Sequence, residues 1–190
     1  MKRWHGAALF LAMALLFLIA NRGAYEGYFA DDELDNLSWA PAVPLSDFAA
    51  ALVSPRFQPG NFRPAGHLYF RLAGPAFGMD FSRYVIPIHA IHLLNVWLVW
   101  LLVRRLGASP FAAASGALLF AFHMAVFDVL WKPMYVFDLL CATFSLTSLL
   151  LWIDGRVVLS FAAFWLAYKS KEPAVMLPFV LACYEYWLGK

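Results

Sequence analysis

The acids and bases of this apolar chain fall into a few tight groups, and these are the residues able to do chemistry. Asp31, Asp32 and Glu33 stand together early, with Arg63 downstream. His123, Asp128 and Lys132 form a second group, and Asp138 follows inside an apolar run. Lys169, Lys171 and Glu172 form a third. Carboxylates accept protons or pair with cations, an imidazole changes charge near neutral pH, and Lys and Arg hold anions. His89, His92 and Asn95 recur every three residues, which puts them on one helical face. Such a stripe suits hydrogen bonding between membrane helices. A His pair at that spacing could bind a metal, but the sequence places no third ligand.

The elements that must position these groups are hydrophobic helices. Of 190 residues 63% are hydrophobic and only 14% charged, where soluble domains run to about a quarter charged. Apolar excess without matching charge points to lipid as the solvent. Aromatics reach 18%, with eight Trp and eight Tyr, types that favour the membrane–water interface. A net charge of +2 without a basic run gives no support to a nucleic-acid partner. Cys141 and Cys183 lie inside apolar runs and read as small buried hydrophobes. No CxxC, HExxH, Walker or GxGxxG pattern occurs.

The expected fold class is an all-α membrane protein, a polytopic helical bundle of about six spans. Residues 1–190 read as a single transmembrane domain: 1–22 a first helix or signal anchor, 23–83 an external loop with interfacial helices, 84–190 a five-helix remainder. The spans are Ala7–Ala20, Tyr84–Val103, Pro110–Val129, Tyr135–Ile153, Val157–Tyr168 and Pro173–Leu188. The fifth is short of the roughly 20 residues a crossing needs. Within the loop, Leu45–Leu52 reads as a short helix capped by Ser46, and Pro64–Phe77 as a helix lying at the interface. Prolines 41, 44, 55, 59, 64 and 75 interrupt anything longer.

Basic residues set the orientation. An inside N-terminus gives the cytoplasmic side Lys2, Arg3, Arg104, Arg105, Arg156 and Lys190, against Lys132, Lys169 and Lys171 in the short outer turns. That arrangement gathers Asp31, Asp32, Arg63, His123, Asp128, Asp138, Lys171 and Glu172 on one face of the membrane. A solvated loop explains Asp31–Asp32 equally well, and snorkelling explains Lys132 and Lys171. Asp138 resists so plain a reading: a carboxylate in a span costs about 2.5–3.5 kcal/mol at the bilayer centre and less near its edge. It should face the bundle interior or a wet cavity.

The ordered segments Tyr28-Phe29-Ala30-Asp31-Asp32 with Asn36, Phe62-Arg63-Pro64 and His92-Leu93-Leu94-Asn95 then carry a resemblance. They are followed by Leu119-Phe120-Ala121-Phe122-His123 with Asp128 and Trp131, by Phe137-Asp138-Leu139-Leu140, and by Ser170-Lys171-Glu172-Pro173-Ala174 with Leu177-Pro178. From about Tyr28 to Trp187 the chain resembles the N-terminal part of GT-C-fold glycosyltransferases. It is most similar to the transmembrane and TPR-containing O-mannosyltransferases and their bacterial relatives.

The resemblance implies a transferase that moves a sugar, mannose among the candidates, from a polyprenyl-phosphate carrier to a protein or glycan hydroxyl on the non-cytoplasmic face. It implies Asp31 or Asp32 as the base, and Arg63 and Lys171 as cations for the departing phosphate. Glu172 would orient Lys171 or bind the acceptor; His123, Asp128 and Asp138 would complete the substrate site, with or without a divalent metal. Family members run longer, so residues 1–190 would be the N-terminal part of a larger module; where members often have Pro, this chain has Met124. The implied location is a bacterial inner membrane, N-terminus cytoplasmic. The competing expectation is a non-catalytic polytopic membrane protein: a carrier-lipid binder, transporter piece or assembly subunit. Charges near helix ends, with no repeat between halves, argue against a transport path.

Overall fold

The computed structural model describes residues 3–56 and 61–189, and among them every regular element is helical. Lys2, Pro59 and Lys190 lie outside these residues. Ten α-helices follow in order: α1 (Arg3–Ala20), α2 (Asp31–Trp39), α3 (Leu45–Val53), α4 (Pro64–Phe77), α5 (Phe81–Arg105), α6 (Pro110–Ala121), α7 (Phe127–Trp131), α8 (Val136–Ile153), α9 (Val157–Ser170) and α10 (Leu177–Trp187).

Two segments are long and apolar enough to cross a membrane: Phe81–Arg105, with 25 residues, and Pro133–Ile153, with 21. A third crossing arises only if α6 and the Met124–Trp131 segment, bent by 44° from it, count as one. The other expected spans are shorter. α9 has 14 residues and α10 has 11; at 1.5 Å per residue, α9 covers about 21 Å of a core about 30 Å thick.

The continuous third span, Pro110–Val129, is not what forms. The helix stops at Ala121, and His123 takes an extended backbone (φ −68°, ψ 128°). Its ring Nδ1 accepts the Ala125 N–H at 3.1 Å and starts a new turn. Ser46 is not the cap of α3 either. Pro44 holds the cap position, while Ser46 donates to its neighbour Asp47 at 3.3 Å. Cys141 is buried as expected, but Cys183 is exposed, because α10 packs few of its side chains inward.

α5 organises the interior. Its polar stripe is almost wholly enclosed and reaches the ends of other helices. His89 Nε2 donates to the Leu130 carbonyl at 3.1 Å, and its Nδ1 accepts from the Tyr25 hydroxyl at 2.9 Å. His92 Nε2 donates to the Ala121 carbonyl at 3.3 Å. Asn95 Nδ2 donates to the Leu139 carbonyl at 3.0 Å and its Oδ1 accepts from Thr143 at 2.7 Å. Ala121 and Leu130 end α6 and α7, where carbonyls lack intrahelical donors. At the other end, Arg105 pairs with Asp154.

The loop helices pack onto this frame. Phe70 of α4 and Ala40 join Ile88 of α5 and Val136, Phe137 and Leu139 of α8 in one core. The approach at Gly66 is close: a methyl group there would lie 1.9 Å from the Phe137 ring. Phe137 precedes Asp138, so this contact fixes the start of α8 beside the candidate site.

Candidate functional site

Two ion pairs form the centre. Lys171 Nζ donates to both carboxylate oxygens of Asp138 at 2.7 Å. Arg63 Nε and Nη2 donate to the two oxygens of Glu172 at 2.8 and 3.0 Å, a bidentate fork. Glu172 therefore pairs with Arg63 and does not orient Lys171. The reason is local: Lys171 has extended backbone (φ −161°, ψ 151°), and successive side chains of an extended segment point to opposite sides. Lys171 turns to α8 and Glu172 to the start of α4.

All four charged side chains keep part of their surface open, between 24% and 42%. Asp138 is thus only partly enclosed by protein. Burial alone would raise the Glu172 carboxyl, but the Arg63 hydrogen bonds, a backbone N–H and the charges of Arg63 and Lys171 together hold the group below the usual carboxylate range. The Arg63 guanidinium also lies over the Phe137 ring, 5.5 Å from its centre. Phe137 backs one pair as its neighbour Asp138 makes the other.

A hydrogen-bonded chain runs from this centre towards the acidic loop. The Arg63 N–H donates to His67 Nδ1 at 2.9 Å. With Nδ1 accepting, the ring's proton sits on Nε2, which donates to Asn36 Oδ1 at 2.9 Å. Asn36 Nδ2 in turn donates to the Asp32 carbonyl at 2.7 Å. Burial pulls the His67 imidazole down to about 4, which keeps it neutral as this tautomer requires. Trp39, Phe62 and Phe137 surround its ring at 4.5, 5.4 and 4.7 Å.

Asp31 and Asp32 stand at the N-terminus of α2 with exposed side chains that make no hydrogen bond or ion pair among the described residues. Asp31 has φ +33°, a left-handed value rare for a residue with a Cβ. Strain of this kind costs of order 1–3 kcal/mol and persists where the surroundings impose it. Glu33 supplies part of that constraint. It is buried, its Oε2 accepts the Ala30 N–H at 2.9 Å, and Oε1 has no hydrogen-bond partner among the described residues. Burial pushes its carboxyl up.

His123 and Asp128 are exposed and make no side-chain contact with the two ion pairs among the described residues. The break after α6 carries both away on a separate turn. No three His, Cys, Asp or Glu side chains converge as a metal-binding group among the described residues. The charges at the centre are instead matched acid to base, two cations against two carboxylates.

His67 was not legible as a site residue, and Glu33 and Lys169, grouped with the other charges by sequence, were not legible as buried ones. The Arg63–His67 spacing of one helical turn was a usable signal for the first. Comparison with protein-family models, curated proteins and solved structures gives no match.

Proposed function

We propose that this is a polytopic membrane protein with a cytoplasmic N-terminus and about six crossings, working as a GT-C-type glycosyltransferase or the N-terminal part of one. It would act at the outer face of a bacterial inner membrane. The observation that carries the reading is the unbroken chain of hydrogen bonds from Asp32 through Asn36, His67 and Arg63 to Glu172, beside the Lys171–Asp138 pair. It joins the backbone of the helix that carries Asp31 and Asp32, at the Asp32 carbonyl, to the half-open Arg63 fork.

The chemistry follows from those groups. The acceptor hydroxyl oxygen attacks the anomeric carbon, and Asp31 or Asp32 takes its proton. The bond from that carbon to the phosphate oxygen breaks, and the polyprenyl phosphate leaves with the electron pair. Arg63 and Lys171 bind that phosphate once Glu172 and Asp138 yield to it, which places positive charge where negative charge develops.

Asp31→Asn and Asp32→Asn, made singly and together in the full-length protein, test this. The double variant should insert normally, bind a polyprenyl phosphate sugar, and lose transfer by about 100-fold or more. Transfer that persists at the wild-type rate would remove both acids from the mechanism. Accessibility labelling of Lys132→Cys and Ser109→Cys, with Cys141 and Cys183 replaced by Ala, should report opposite sides of the membrane.

A second reading, a binder of the carrier lipid without turnover, draws on one observation: the Asp31 and Asp32 carboxylates make no direct bond to the cation cluster among the described residues. Saturable carrier binding with no transfer to any acceptor favours it.

A further inference from the structure

Beside the ion-pair cluster lies a buried ammonium that no step above uses. Lys169 is only 3% exposed, and no carboxylate meets it among the described residues. Its Nζ donates to the Arg56 carbonyl at 3.2 Å and lies 5.2 and 5.0 Å from the ring centres of Trp165 and Tyr168. Both rings also donate. Trp165 Nε1 reaches the Leu52 carbonyl at 2.6 Å, and the Tyr168 hydroxyl reaches the Pro55 carbonyl at 2.7 Å.

Three side chains from a single stretch of α9 thus take three carbonyls at and just beyond the C-terminus of α3, where the helix leaves acceptors unsatisfied. A buried charge is costly unless its surroundings answer it, and here two π-faces and a carbonyl do so.

The tie leads back to the site. α3 presents Phe48, whose ring meets Phe62 edge-on at 5.0 Å. Phe62 precedes Arg63, Arg63 grips Glu172, and Glu172 follows the end of α9. The path from α9 through α3 to Arg63 and back to α9 is closed.

We propose that Lys169 is a positioning residue: with Trp165 and Tyr168 it latches the end of α3 to α9, so that Phe48 and Phe62 hold Arg63 opposite Glu172. The consequence for the sugar donor rests on the transferase reading; the latch does not. Lys169 touches no reacting atom. It sets where the Arg63 fork stands when a phosphate competes for it.

Trypsin tests the latch directly, because the carbonyl that Lys169 holds belongs to the Arg56–Phe57 bond. The full chain in lipid nanodiscs is digested as wild type, Lys169→Met, Lys169→Arg and Trp165→Phe, and the fragment ending at Arg56 is timed. Lys169→Met keeps the buried volume and removes the charge; it should be cut about tenfold faster after Arg56. Lys169→Arg should restore protection, and Trp165→Phe, which keeps the ring and loses the donor, should fall between.

In the transfer assay Lys169→Met should raise the donor KM about tenfold with kcat within about twofold, and Arg should rescue it. Equal cutting of wild type and Lys169→Met would overturn the latch. Faster cutting with an unchanged donor KM would overturn the positioning role and leave the transferase reading intact. A wild type without transfer, together with protected Arg56–Phe57, would sink the transferase reading and support the latch.

Discussion

The polar stripe on α5 and the charge cluster beside Arg63 use hydrophilic side chains to opposite ends. His89, His92 and Asn95 are neutral, at most 1% exposed, and spent on the carbonyls of neighbouring helices. Arg63, Glu172, Lys171 and Asp138 are charged, partly open and bonded to each other. The first arrangement has partners that cannot leave. The second has partners that stay partly open to solvent, where an ion pair is worth little. Polar residues inside a helical bundle are glue when they meet backbone and a candidate site when they meet only one another.

The sharpest way to break this contrast is at Gly66, which packs on Phe137, the ring under Arg63. Gly66→Ala drives a methyl group into the ring and should cost about 3 kcal/mol or more. The unfolding midpoint should drop, and the Arg63–Glu172 contact should loosen as Phe137 moves.

Acid separates the regions next. His67 is neutral when folded and titrates at about 4, against about 6.5 when unfolded. The unfolded chain therefore binds the extra proton first as pH falls. Stability is whole above about pH 6.5 and declines down to about pH 4; by pH 5 the loss is about 2 kcal/mol. Unfolding midpoints between pH 7 and 5 should show this slope in the wild type, and His67→Gln should flatten it.

The smallest effect belongs to the stripe itself. Asn95→Leu removes two enclosed hydrogen bonds, yet should cost only about 1 kcal/mol, the scale of such bonds between membrane helices. It should leave carrier-phosphate binding unchanged. A larger change in binding than in stability would mean that the stripe and the cluster are not separate devices.

Several of these features were legible beforehand. The helix Pro64–Phe77 begins and ends where Pro at the first turn and Gly78 after the last place it. α5 closes on Arg104 and Arg105, and α8 on Ile153 before Asp154. The one-face stripe at 89, 92 and 95 followed from helical spacing alone. The break after Ala121 did not, because Leu118 to Phe122 is uniformly apolar and the stop depends on partners elsewhere.

The partners in the site were also hidden. Nearness in sequence suggests Lys171 with Glu172, and extended backbone between them sends each to a different helix. Lys169 read only as one more base of the outer group, since nothing local reveals that Arg56 and Leu52 will meet α9.

The bend between α6 and α7 is held from outside. The carbonyls of Ala121 and Leu130, on either side of it, are both received by imidazoles of α5, which a ribosome makes first. Within the Pro110–Trp131 stretch the corner is thus held twice, by α5 from outside and by the His123 ring capping the new turn from within. Loss of either imidazole would leave one flank of that corner with a carbonyl short of its donor.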